Sequence, residues 1–407
     1  MSSKKYKVTF MTKIALLIAA FWTMADMFVV TPLLETIAGV YPTAPGIVIN
    51  LCYCLSQGTI IIGMILVPAL VTRVTKKNMM IGGGGLVLIF GGFGGVVPGL
   101  PLMLFFRAVE GVGAGICITL IPILLNELIK DENERNTLIG VQAAVGCVAG
   151  ALSAFFSGYI ASHFSWQYSY FIYFFSIIII LLIIVSVPGT GKEKPAPKGE
   201  SVRMNRASWG IFVLAIFFGL LSSAVFGYIS YVVVDTGLGD VSTAGTSGSV
   251  VQVGSFVGGV AVAALFKKLK GYIEPFSWLL MLIGGSVFLI SAFTIQSVII
   301  AYIGCFIFGI ANGILFPWIS IKAATICAPN TESKTIAAAN IGYYIGMFGA
   351  IFFYEAFLAI THTSSVSTIY LMIAGAAVYF VVGIIAAARK HGELVILPEQ
   401  RSAESEK

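Results

Sequence analysis

The sequence predicts an all-α membrane protein of twelve transmembrane helices in two six-helix pseudo-repeats, and three observations carry that prediction. The chain of 407 residues is 58% hydrophobic and 10% charged, with a mean hydropathy of +0.97, whereas soluble domains carry about 25% charged residues. Its apolar residues gather into long runs separated by short polar breaks, and its basic residues concentrate on alternate breaks. Lipid offers the backbone no hydrogen-bond partner, so each run must close its own bonds as a helix of about 20 residues.

The runs fall at 14–38, 46–71, 78–97, 100–126, 138–161 and 168–187, then at 208–234, 244–266, 275–295, 298–321, 335–359 and 366–388. The first follows Lys4, Lys5, Lys7 and Lys13, as a signal peptide would, but its length and the spans behind it make it a retained first helix. Arg73, Lys76 and Lys77 follow the second span, Lys130 and Arg135 the fourth, and Lys192, Lys194, Lys198, Arg203 and Arg206 the sixth. Lys267, Lys268 and Lys270 follow the eighth, Lys322 and Lys334 flank the tenth-to-eleventh connection, and four more basic residues close the chain. Positive residues mark cytoplasmic loops. Both termini and the even-numbered connections are therefore expected in the cytoplasm, with the spans in the plasma (inner) membrane. The net charge of +6 is then topology and points to no nucleic-acid partner.

The connection 188–207 is rich in Pro, Gly and charge and reads as a cytoplasmic linker. It divides the chain into an N-terminal bundle (1–187), a C-terminal bundle (208–390) and a cytoplasmic tail (391–407). The bundles echo each other. Thr137 and Gln142 in the fifth span parallel Thr335 and Asn340 in the eleventh, and Gly111 and Gly115 in the fourth parallel Gly309 and Gly313 in the tenth. Gln57 precedes Arg73 much as Gln252 precedes Lys267. Duplicated bundles of this kind place a solute site near the membrane midplane.

Arg107-Ala-Val-Glu110-Gly111-Val-Gly113-Ala-Gly115 resembles the fourth-helix motif R-x-x-x-G-x-G-x-G of the major facilitator superfamily, with Glu110 where drug exporters often have Gln. Trp166-Gln-Tyr168-Ser-Tyr170-Phe171 resembles the W-R-x-x-F signature that opens the sixth helix. The resemblance covers essentially the whole chain and implies the fold of that superfamily, closest to its twelve-helix drug and metabolite exporters. Two motifs depart from the family pattern. The second-to-third loop keeps Arg73, Lys76 and Lys77 as a cytoplasmic gate, but lacks the acidic partner and turn glycine of G-x-x-x-D-R-x-G-R-K. The fifth helix has Ser153-Ala154-Phe-Phe-Ser157-Gly158 in place of G-P-x-x-G-G, which counts against a typical drug:proton antiporter.

Arg107 and Glu110 are the only charged residues between Lys77 and Glu127. At ~1.5 Å per residue, Asp26 lies ~18 Å above the cytoplasmic start of the first span. Arg107 comes to a similar depth, ~20 Å above the inner face of a core ~30 Å thick. Glu110 sits one turn away from Arg107 on the same helix face. Helices one and four line the central cavity in the resembled fold, so Asp26, Arg107 and Glu110 are expected to form one proton-coupling and substrate cluster. The competing structural reading is a latch between the two helices. Two acids around one base leave a surplus negative charge that a proton neutralises, with Asp26 the first candidate carrier and Glu110 the second.

Trp22, Gln57, Gln142, Gln252, Asn312, Trp318, Asn340, Tyr343 and Tyr344 are candidate cavity-lining residues; for the aromatics, packing or lipid contact is an equal reading. Glu35 and Glu355 fall ~30 Å along their helices and read as water-satisfied rim residues, with a cavity-facing coupling site the alternative. Asp235 and Asp240 read as an outer loop. The glycine runs of 82–95 and 111–115 follow no strand and lack a phosphate-loop Lys, so they read as close helix packing. The six cysteines and three histidines form no metal set, and no catalytic constellation or cofactor motif is present, so the chain is not read as an enzyme.

The leading functional reading is a monomeric secondary transporter working by alternating access, exporting an organic, cationic or amphipathic compound in exchange for protons. The alternative is a facilitator or symporter for a small metabolite anion, with Arg107 as carboxylate clamp.

Overall fold

The structure, a computed structural model, describes residues 8–189, 204–327 and 331–389. The tail 391–407 and most of the expected linker 188–207 lie outside the described residues. Among the described residues the chain is helical throughout and forms twelve helical stretches. Ten of these are long and apolar enough to cross a membrane; the other two run over 76–91 and 241–269.

The first stretch is not one helix but three: α1 (Phe10–Ile18), α2 (Phe21–Phe28) and α3 (Leu34–Val40). The Thr9 side chain caps α1 by accepting the Thr12 N–H. A 3-10 turn, Thr31–Leu33, separates α2 from α3 around Pro32. Proline has no N–H, so it can serve neither the Phe28 carbonyl, four residues back, nor, in a 3-10 turn, the Val29 carbonyl, three back. Side chains serve the carbonyls around the break. The Thr31 hydroxyl donates to the Met27 carbonyl at 2.9 Å, and the Ser157 hydroxyl donates to the Val29 carbonyl at 2.5 Å. This is how a broken helix is tolerated at membrane depth.

α4 (Gly46–Leu70) is followed by α5 (Lys76–Leu86), which runs into a π turn at Val87–Gly91. The expected third span, 78–97, therefore loses regular helix after Gly92. Aromatic rings from the sixth stretch occupy the space that side chains here would fill: a Cβ on Gly91 would meet the Tyr173 ring at 2.7 Å, and one on Gly95 the Tyr170 ring at 2.6 Å. Gly99, at φ +81°, turns the chain into α6 (Leu100–Leu128), a conformation that costs glycine nothing.

The Asp131 side chain caps α7 (Glu132–His163) by accepting the Glu134 N–H at 2.7 Å. The sixth stretch opens as a 3-10 segment, Trp166–Phe175, and continues as α8 (Ser176–Ser186). α9 (Arg206–Asp235), capped by Asn205, and α10 (Val241–Leu269) follow. α11 (Ile273–Ile290) closes in a π turn, and α12 (Val298–Ile326), α13 (Glu332–Thr361) and α14 (Ser367–Arg389) complete the chain.

The chain separates into two compact units, Met1–Lys198 with Gly239–Ser249, and Gly199–Leu238 with Val250–Lys407. The start of α10 belongs to the first unit because it crosses α7 at glycines: a Cβ on Gly158 would come within 2.7 Å of the Val241 carbonyl and 2.9 Å of the Gly245 Cα.

The repeat is visible in a glycine seam inside each unit. In the first, a Cβ on Gly111 would lie 2.5 Å from the Ser56 carbonyl, and one on Gly115 would lie 2.1 Å from that of Ile60, so α6 lies backbone to backbone on α4. In the second, a Cβ on Gly309 would lie 2.1 Å from the Val251 carbonyl and one on Gly313 2.0 Å from that of Ser255, so α12 lies on α10 in the same register. Small residues at such crossings replace the hydrophobic drive that lipid removes. That register makes Gln57, after Ser56, equivalent to Gln252, after Val251. It also sets Cys305 where the first unit has Arg107, and Phe308 where it has Glu110.

Candidate functional site

The first unit brings Asp26, Arg107 and Glu110 together in a cluster that is 0% exposed at all three residues. A guanidinium offers five N–H donors, and each has an acceptor here. Nε donates to the Cys52 carbonyl at 2.8 Å. Nη1 donates to a Glu110 carboxylate oxygen and to the Tyr173 hydroxyl, the latter at 2.9 Å. Nη2 donates to the Asp26 carbonyl at 2.6 Å and to the Ser56 hydroxyl at 2.8 Å. The Asp26 carboxylate itself stands 3.3 Å from Nη2.

The break in the first stretch contributes to this arrangement. The carbonyl of Asp26, at the end of α2, turns to a side-chain donor, Arg107, while that of Ala25 keeps the Val29 N–H and also accepts the Tyr173 hydroxyl at 3.1 Å. On the carboxyl side, Gln57 on α4 donates from Nε2 to Oδ2 of Asp26 at 2.6 Å. The Asp26 and Glu110 carboxylates both stand at the Arg107 guanidinium. Oδ1 of Asp26 and Oε1 of Glu110 accept no hydrogen bond among the described residues, and the buried indole N–H of Trp22 donates none. Trp22 is pinned against Gly84, where a Cβ would come 2.4 Å from the ring.

The sequence pointed to Asp26, Arg107, Glu110, Gln57 and Trp22, and missed Tyr173, Ser56 and the Cys52 carbonyl. Ser56, beside Gln57 on a buried helix face, was a readable signal. Tyr173 lies in the run Trp166–Phe175, where nothing in the pattern separates one inward aromatic from its lipid-facing neighbours.

The remaining candidates are dispersed. Gln142 on α7 and Asn340 on α13 are partly exposed. Gln252 is buried, and Asn312 donates to the Ser222 hydroxyl at 3.1 Å in the second unit. Tyr343 packs between the rings of Phe218 and Phe316, at 5.2 and 5.3 Å, and against Tyr344. Trp318 lies under the Lys322 ammonium, 4.2 Å from the ring centroid.

Of the gate residues, Lys76 reaches across to Glu127 at the end of α6 (2.6 Å), Lys77 donates to the Ile184 carbonyl (2.7 Å), and Arg73 is exposed. The second unit holds the matching ends of α11 and α12 with the charges reversed, Glu274 pairing with Lys322 at 2.7 Å.

Glu355 is half-buried near the end of α13 and accepts the Tyr228 hydroxyl at 2.8 Å, a partner that the sequence did not suggest. Glu35 is half-buried as well. Asp240 caps the start of α10. Slight burial nudges its carboxyl up, but hydrogen bonds from the Thr243 N–H and from the Ser162 and Thr243 hydroxyls outweigh it and hold Asp240 below the usual aspartate range.

The profile of the Major Facilitator Superfamily matches residues 16–351, most of the chain. The chain belongs to the major facilitator superfamily. It is therefore a multi-pass membrane protein that transports small solutes, and not an enzyme. No curated relative matches it in sequence.

Solved structures with the superfamily fold lie close in shape and far in sequence. A D-xylose–proton symporter superposes with a TM-score of 0.74 at 16% identity, covering 91% of this chain and 97% of its own. A peptide transporter in complex with alafosfalin gives 0.73 at 11% identity, covering 93% and 94%. A bacterial homolog of the human lysosomal transporter Spinster, inward-facing and unoccupied, gives 0.68 at 14% identity, covering 91% and 96%. At these identities the likeness establishes the major facilitator fold alone.

Proposed function

We propose that this chain is a proton-coupled secondary transporter of a small organic solute, and that the Asp26–Arg107–Glu110 cluster is where it handles the proton. The observation that carries this reading is the donor count around the guanidinium. Two carboxyls share one arginine whose five N–H groups are all committed, and each carboxyl keeps one oxygen with no donor. Ionised together, they would leave a buried net charge of minus one, which costs several kcal/mol in a lipid-surrounded interior. One proton shared between them removes that charge and satisfies the open oxygens.

Asp26 is the carrier in this reading, because it sits at the broken end of α2, where a small change in helix direction alters its distance from Arg107 and Gln57. Glu110, on the continuous α6, is the resident partner, and Arg107 tunes both. Alternating access then exposes the pair to one side or the other as solute binding changes the position of the first stretch.

The anion-clamp alternative has less support, because Arg107 is fully buried with no donor left for a substrate carboxylate. Export is the direction suggested by the resemblance to exporters. Cytoplasmic termini are supported by the alternation of basic residues along the sequence; a monomer in the plasma membrane completes the reading.

The test is substrate-driven proton movement in sealed proteoliposomes carrying a pH dye, with wild type beside Asp26→Asn and a panel of organic cations and carboxylates on either side. A compound that moves protons in wild type and crosses without them in Asp26→Asn supports the reading. Equal proton movement in both proteins removes it.

A further inference from the structure

At the end of the first unit away from Lys13, Lys76 and Lys77, three connections close around a cleft of about 370 Å³ that opens to the surface. Tyr41, which ends α3, forms one side, Gly95, past the π turn, a second, and the opening of the sixth stretch, Ser165 to Tyr168, the third. The volume lies at the lower end of the range of small-molecule sites, about 300–1,000 Å³. No charged residue lines the cleft.

Its polar groups are mostly donors. The Ser165 hydroxyl donates to Oε1 of Gln167, which occupies the amide oxygen and leaves the amide N–H groups to spare. Ser165 makes no side-chain cap, so the first backbone N–H groups of the sixth stretch, those of Trp166 and Gln167, have no partner among the described residues. Trp166 is 8% exposed, yet its indole N–H makes no hydrogen bond among the described residues, and neither do the hydroxyls of Tyr41 and Tyr168. Gly95 keeps this wall close, since a Cβ there would come 2.7 Å from the Gln167 carbonyl. Spare N–H groups at a helix start, with no carboxylate beside them, suit an oxyanion.

A lane of rings leads away from the cleft. Tyr168 stacks on Phe171 at 5.6 Å, and Phe174 stands 5.3 Å from both Phe171 and Phe93. Tyr168, Phe171 and Phe93 are exposed. Trp and Tyr at one end of a bundle with bare apolar rings beneath them match the boundary between headgroups and acyl chains.

We propose that this cleft binds the phosphate of a phospholipid headgroup, with the Trp166 indole, the Gln167 amide and the start of the sixth stretch as donors and the acyl chains along the ring lane. The recognised group is a phosphate ester, and the lane favours a lipid over a free one. The charge pattern puts that lipid in the outer leaflet. The site is separate from the Asp26 cluster, and its failure leaves the proton-coupling reading untouched.

The probe is phosphatidylglycerol, a singly charged phosphodiester, counted on the detergent-solubilised full chain by native mass spectrometry. Comparing wild type with variants isolates the cleft from lipid held at the basic ends. Gln167→Glu sets a carboxylate against the phosphate and is expected to weaken this binding about tenfold or more. Trp166→Phe keeps a ring but loses the donor, and is expected to weaken it about threefold. Gln167→Glu, at a partly open position, keeps the test valid if Trp166→Phe does not fold. Diacylglycerol with the same chains is expected not to occupy the site, and soluble glycerol 3-phosphate at equal concentration is expected not to compete. Equal binding by wild type and a folded Gln167→Glu overturns the site. Diacylglycerol binding as well as phosphatidylglycerol overturns the recognition of phosphate, and competition by glycerol 3-phosphate overturns the lipid in favour of a free phosphate ester.

Discussion

Arg107 holds Asp26 by its backbone more closely than by its charge: Nη2 lies 2.6 Å from the Asp26 carbonyl oxygen and 3.3 Å from its carboxylate. The guanidinium therefore anchors the end of α2 whether or not the Asp26 side chain carries a proton.

Removing the arginine is expected to destabilise the protein severely. Arg107→Ala strands two carboxyls, two carbonyls and two hydroxyls in a dry interior, and breaking one side of a buried charge network costs about 3–5 kcal/mol. Adding Glu110→Gln removes one stranded charge, so the double variant is expected to melt above Arg107→Ala alone. Thermal unfolding of the detergent-purified variants checks the order, and a double variant no more stable than the single one contradicts it.

The break at Pro32 gives a prediction about two side chains on different helices. Ser157→Ala leaves the Val29 carbonyl without its hydroxyl donor and is expected to cost about 1–3 kcal/mol, the penalty for an unsatisfied buried acceptor. Pro32→Ala restores a backbone N–H and is expected to lessen that cost. A double-mutant cycle by thermal unfolding measures the coupling; strictly additive effects would show that Ser157 does not serve the break.

Glycines of the two seams should separate from glycines of α5 whose added Cβ would meet nothing within 4 Å. Gly115→Ala and Gly313→Ala push a methyl into a carbonyl closer than 2.5 Å, overpacking worth about 1–3 kcal/mol. Gly82→Ala and Gly85→Ala meet nothing within 4 Å and are expected to be neutral or slightly stabilising, as Ala favours helix by up to about 1 kcal/mol. Unfolding midpoints of the four variants make the comparison.

Asp240 gives a pH prediction with a definite sign. Its carboxyl is held below the aspartate range, so its stabilising effect is complete above the ordinary value of about 3.9. It is lost only as pH falls through the lower folded value. Between pH 5 and about 8 Asp240 stays ionised, and Asp240→Asn is expected to leave the pH profile of transport unchanged. A shifted profile in that variant would mean the outer cap takes part in proton handling.

The architecture was legible because each span repeats one constraint, a run of about 20 apolar residues, and because basic residues punctuate alternate breaks. Asp26 and Arg107 met as their depths implied, and Gly111 and Gly115 packed as small-residue contacts. Helix continuity was less legible. Pro32 marked the first break, but which side chains would catch the freed carbonyls depended on tertiary contacts with Ser157 and Arg107, far along the chain. The partner of Glu355 was hidden for a related reason: distance along a helix gives depth, not the face that a partner such as Tyr228 covers.

The seam that aligns Arg107 with Cys305 and Glu110 with Phe308 means the two halves are not interchangeable. A chain built from two copies of the first half would bury two such charged clusters, and one built from two copies of the second would bury none. Duplication supplied symmetric scaffolding, and divergence confined this buried charge to one side of it. Substitutions at that seam are thus constrained by electrostatics in the first half and by little more than volume in the second, which leaves the second half the freer ground for a change of cargo.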